Sequence, residues 1–134
     1  MNGDGPLARI LLTALGFGAI GNGLFMLLDA ERWYGLVAAG TGPFNVHFVR
    51  DIGAAYLTAG VALVWAARRP ALRGPLAATA ALFLGLHALT HVFEVATGVT
   101  SPGHLLEDLP GVHLPALLIG WLAVASLRRP PEVS

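Results

Sequence analysis

The chain has neither cysteine nor lysine, and only 12% of its 134 residues are charged. Without cysteine there is no disulfide, no thiolate metal ligand and no thiol nucleophile, although the redox compartment stays open. All eight basic residues are arginine and they are matched by eight acidic ones, giving a net charge of zero. No basic run is long enough to follow a nucleic-acid backbone, so nucleic acid is not an expected partner. The charged fraction is about half of the roughly 25% found in soluble domains. What fills the space is apolar: 55% of the residues are hydrophobic. That balance points to an integral membrane protein, with the lipid bilayer as its first partner.

The length suits a single domain over residues 1–134. After the polar lead Met-Asn-Gly-Asp-Gly-Pro, the 19 residues from Ile10 to Leu28 carry no charge. A helix needs roughly 20 such residues to cross the hydrocarbon core. A cleaved signal peptide is the competing reading, but its apolar core is usually about 7–15 residues long, and only Arg9 precedes this run as a positive charge. Asp29, Glu31, Arg32, Trp33 and Tyr34 follow, a mixture that fits the headgroup zone. Gly40-Thr41-Gly42-Pro43 then breaks the chain, and Pro43 can open the next helix. Repeating the reading predicts four spans, at about 7–29, 44–67, 75–99 and 112–128. Short connections make the simplest architecture an all-α, antiparallel four-transmembrane-helix bundle.

Arginine sets the expected orientation. Arg9, Arg68, Arg69, Arg73, Arg128 and Arg129 belong to one side, whereas the other two loops carry Asp29, Glu31, Glu107 and Asp108. The positive-inside tendency then makes both termini cytoplasmic, in a multi-pass protein of the cell's inner (plasma) membrane.

Against this background His87-Ala88-Leu89-Thr90-His91-Val92-Phe93-Glu94 stands out. At 3.6 residues per turn, His87, His91 and Glu94 fall within an arc of roughly 60° and share one target. An ionisable group inside a span is costly and marks a functional hypothesis. Antiparallel spans bring His47, Arg50, Asp51, His87, His91, Glu94, His104 and His113 to the same outward half, facing the periplasm or exterior. His47 and Asp51 lie one turn apart, with Ala54, Thr58 and Trp65 extending that stripe.

Imidazoles with carboxylates suit a transition metal: zinc, iron, copper or manganese. The candidate ligands are His47, Asp51, His87, His91, Glu94 and His113. His104, in a loop, is a weaker candidate. Glu94 or Asp51 would serve as base, or Asp51 as the acceptor that orients an imidazole, and Arg50 as a clamp for an anionic group. The leading expectation is a metal-dependent enzyme, oxidoreductase or hydrolase-like, acting on a lipophilic substrate. The alternatives are a non-enzymatic metal- or haem-binding module, with haem b held between facing histidines, a proton or small-solute transporter, and a structural polar network that only locks helices. Arg50 paired with Asp51 or Glu94 would be such a lock.

The glycines of the first span, Gly16, Gly18, Gly21 and Gly23, favour close helix packing, either inside the bundle or in a homo-oligomer, and Asn22 could bond across that contact. The run from Arg9-Ile10-Leu11-Leu12 to Gly23 resembles the first helix of small four-helix bacterial membrane proteins of the DoxX-like type. The segment from Phe44 to Gly53 resembles bacterial proteins of this size without an established activity. These resemblances imply the fold and carry over no catalytic residue.

Overall fold

A computed structural model describes residues 5–128, so residues 1–4 and 129–134, Arg129 among them, lie outside it. Among the described residues the chain is all helical. The long helices are α1 (Pro6–Leu28), α3 (Val46–Arg68), α4 (Arg73–Ala96) and α6 (Leu114–Leu127), with one-turn helices α2 (Ala30–Trp33) and α5 (His104–Glu107) between them. Among the described residues four helical stretches are long and apolar enough to cross a membrane: Pro6–Leu28, Val46–Arg68, Pro70–Ala96 and Leu109–Leu127.

The helix ends follow local chemistry, and they adjust the expected limits. Pro43 does not open α3. Asn45 caps it instead, its side-chain oxygen accepting from the backbone N–H groups of His47 (3.0 Å) and Phe48 (3.3 Å). α4 ends at Ala96, three residues before the expected limit. Gly98 takes φ +76°, Val99 N–H donates to the Glu94 carbonyl (2.8 Å) and Gly98 N–H to that of Val95 (3.1 Å). This paired closure needs a left-handed residue, which glycine supplies without steric cost. The last span begins as a π-helical turn, Leu109–His113, before α6 proper.

Packing starts from glycine. α1 lies mainly on α3, α3 on α4, and α4 on α6. A methyl group on Gly23 would fall 2.6 Å from the Gly53 carbonyl oxygen, and one on Gly60 would fall 2.7 Å from that of Gly16. The two backbones therefore touch at Gly16 with Gly60 and at Gly23 with Gly53, numbers rising along α1 as they fall along α3. Gly18 and Gly21 have nothing within 4 Å of that position and play no part in the contact. Asn22 does not bond across it. Its side-chain oxygen accepts from the Trp33 indole N–H at 2.8 Å, pinning α2 back onto α1. Leu12, Met26, Leu63, Ile119 and Leu122 form the fully buried centre.

The two ends differ. At one end a methyl group on Gly40 would lie 3.6 Å from the His104 ring, so the first and third connections come together. At the other, Arg9, Arg68 and Arg73 line one cavity. Arg73 was expected in a basic loop. It lies instead in the first turn of α4, 2% exposed, and its Nε donates to the Ala66 carbonyl at 3.1 Å.

Candidate functional site: a histidine and aspartate cluster

α4 carries His87 and His91 one turn apart on the same face. Their Nε2 atoms are 3.3 Å apart and their ring centroids 4.8 Å. On the far side of His91, Nδ1–H donates to Asp108 Oδ2 at 2.7 Å, a short charge-assisted bond between groups only 20% and 23% exposed. Binding the carboxylate fixes the tautomer, so a neutral His91 presents the lone pair of Nε2 to His87.

Asp108 acts through its backbone as well. Its carbonyl accepts from both Val112 N–H (2.8 Å) and His113 N–H (3.2 Å), the latter being the five-residue bond of the π turn. That extra residue sets where His113 emerges, and π turns of this kind recur at functional sites. The His113 ring lies with its centroid 6.3 Å from that of His91, edge to face. Its Nε2 is buried and has no hydrogen-bond partner among the described residues. Such an atom costs about 1–3 kcal/mol unless something binds it.

The floor of the cluster is aromatic. Tyr56 of α3, 8% exposed, meets His87 edge-on at 5.5 Å and Phe83 at 5.4 Å, while Phe83 stacks on His87 at 6.1 Å. Below it a mainly apolar groove of about 220 Å³ runs between α3 and α4, bordered by Ala55, Thr58, Ala59, Thr79, Ala80 and Phe83.

Of the expected ligands, three come together: His87, His91 and His113. The others stand apart. His47 does pair with Asp51, Nε2 to Oδ2 at 3.2 Å, but the two side chains are 76% and 62% exposed. At about 100° per residue, His47, Asp51, Ala54 and Trp65 lie nearly opposite the Gly53, Tyr56 and Gly60 face of α3 that meets α1 and α4, while Thr58 borders the groove between α3 and α4. That stripe looks away from the cluster. Arg50 is exposed, and neither it nor the Glu94 carboxylate makes an ion pair with a described residue, so no Arg50–Asp51 or Arg50–Glu94 lock forms. His104 pairs with Glu107 (3.3 Å) in α5.

Two participants were missed by the sequence reading, Asp108 and Tyr56. Asp108 was used only to orient the chain, and its one available signal is its place five residues before His113. Tyr56 is one turn and a residue beyond Asp51, on the buried side.

Chemically, two features matter. Imidazoles at i and i+4 on one helix face are a spacing that holds a single zinc ion. Bonds of about 2.0–2.1 Å at the tetrahedral angle place two such nitrogens about 3.3–3.4 Å apart, which is the separation of His87 and His91 Nε2. A linear pair of haem ligands would need about 4 Å, on opposite sides of the macrocycle. Among the described residues no three His, Asp or Glu donors already surround one point. Completing a metal site from this arrangement requires His113 to turn toward the pair. No protein-family model, characterised protein or solved structure matches this chain.

Proposed function

We propose that the protein is an integral membrane, antiparallel four-helix bundle that holds one transition-metal ion through His87, His91 and His113 and uses it on a lipophilic substrate. The observation that carries this is the 3.3 Å separation of two imidazole nitrogens, one of them backed by a carboxylate at 2.7 Å. A carboxylate behind a histidine is the usual second partner of a metal ligand. The orphan nitrogen of His113 would gain its missing partner.

Three protein ligands leave a fourth position for water or substrate, the pattern of catalytic rather than structural zinc. A bound ion there supplies Lewis acidity or an activated water. Zinc suits the all-imidazole donors, with iron, copper or manganese as the other candidates. The groove beside Phe83 suits an alkyl chain entering from the bilayer. The arginine-lined end would face the cytoplasm and the imidazole end the exterior.

A second reading has its own support: the unbroken chain from His87 through His91 to Asp108 could relay protons without a metal. Elemental analysis of the purified protein separates the two. One ion per chain is expected, falling to none in His87→Ala and His91→Ala while the helical circular dichroism persists. A wild-type protein that folds and retains no stoichiometric ion after loading leaves the relay reading in its place.

A further inference from the structure

The groove between α3 and α4 is a slot with two different ends. Its floor is Ala59 and Ala80, 5% and 1% exposed, and the exposed Thr58 and Thr79 stand at its mouth. Both hydroxyls already donate to carbonyls of their own helices, Thr58 to Ala54 (2.8 Å) and Thr79 to Pro75 (3.0 Å). A hydroxyl has one hydrogen, so neither has another to give and the slot offers an occupant apolar contact.

Residues three and four apart share a helix face. Three residues from Ala62 and Thr79, toward the arginine-lined end, the slot's two faces carry Trp65 and Leu76, whose bulk bounds it. Four residues from Phe83 in the other direction comes His87, on whose ring Phe83 stacks at 6.1 Å. The faces next outward carry Val61 on α3 and Leu82 and Leu86 on α4, all exposed. Transmembrane helices approach closely over small residues, so these rims keep a helix off and admit a thin chain. The seven residues from Ala55 to Ala62 rise about 10 Å, and the turn from Phe83 to His87 adds about 5 Å. At about 1.2 Å per bond of an extended chain, that path takes roughly 13 bonds.

We propose that the substrate of the metal site is a single straight-chain amphiphile of about 12–14 carbons with a small oxygen headgroup, its chain in this slot and its head at the ion. The inference rests on the metal reading above. The probe is dodecanol carrying a diazirine at the end of its chain, photo-crosslinked to the zinc-loaded protein in detergent and mapped by mass spectrometry, with zinc counted in the same samples. The label should fall within residues 58–65 and 76–80. Unlabelled dodecanol should compete about tenfold better than octanol or octadecanol at equal mole fraction in the micelle, since mismatched methylenes at a shaped apolar site cost at least that much. Thr58→Leu with Thr79→Leu, at exposed positions, fills the mouth and should cut the labelling about tenfold, with zinc content and melting temperature unchanged. Zinc-loaded protein that is labelled elsewhere, that labels equally in the filled variant, or that responds equally to all three alcohols overturns the substrate and leaves the metal reading standing. A protein that holds no zinc removes the metal reading and this substrate with it, whatever the label does.

Discussion

Gly23→Leu is expected to unfold the α1–α3 half of the protein, and Gly23→Ala to destabilise it strongly. The first side-chain carbon added at Gly23 would lie 2.6 Å from the Gly53 carbonyl oxygen and 2.7 Å from the Leu57 nitrogen. Both are backbone atoms of α3, so no side chain can swing aside and the helices must separate. At Gly60 the obstacles are the Gly16 oxygen and Ile20 nitrogen, both at 2.7 Å. Overpacking a tight interior costs about 1–3 kcal/mol even where side chains can adjust, and backbone contacts adjust less. In a membrane the loss has no hydrophobic compensation, because helix association there relies on close packing itself. Thermal melting in detergent measures it, with Gly18→Ala and Gly21→Ala as controls because nothing lies within 4 Å of their added carbons. A Gly23→Ala protein melting with the controls would mean that α1 and α3 do not approach as described.

The second large effect concerns Asp108. If His91 is a metal ligand, the carboxylate bound to its Nδ1 fixes the tautomer and raises the basicity of Nε2, and losing such a partner typically costs 10–100-fold in metal affinity. Asp108→Asn should therefore weaken zinc by about 10–100-fold in competition with a chelator of known affinity. Glu94→Gln and His47→Ala should leave that affinity unchanged, since neither residue joins the cluster. The comparison is informative because the sequence alone ranks the residues the other way, placing Glu94 and His47 in the ligand set and Asp108 in a loop. Full affinity in Asp108→Asn together with loss in Glu94→Gln would restore the sequence ranking.

Why that ranking differs is a matter of which forces are local. Uncharged runs of the right length declare the helices, and the i, i+4 geometry of His87 with His91 and of His47 with Asp51 follows from helical pitch alone. Both pairs are close, as the pitch requires. Which way a helix face turns is decided by its partner. α3 is rotated by the demand that Gly53 and Gly60 meet α1 and that Tyr56 meet α4, and this carries His47 and Asp51 outward. Only the tertiary contact contains that information. Asp108 reaches His91 because α4 closes at Gly98 and α5 folds the loop back over it, a return path with no periodicity to read. Arg73 was hidden for a related reason: next to Arg68 and Arg69 it reads as part of a basic loop, yet the carbonyls at the end of α3 draw it inside.

Three imidazoles from two parts of the chain, His87 and His91 on α4 and His113 ahead of α6, are proposed to meet on one ion. X-ray absorption at the zinc edge of the zinc-loaded protein tests it most directly, since it counts imidazole ligands and measures their distance. Three imidazole nitrogens at about 2.0–2.1 Å are expected, reduced to two in His113→Ala and unchanged in His47→Ala. A zinc spectrum without an imidazole shell, or one altered by His47→Ala and indifferent to His113→Ala, would mean that His87, His91 and His113 do not share an ion.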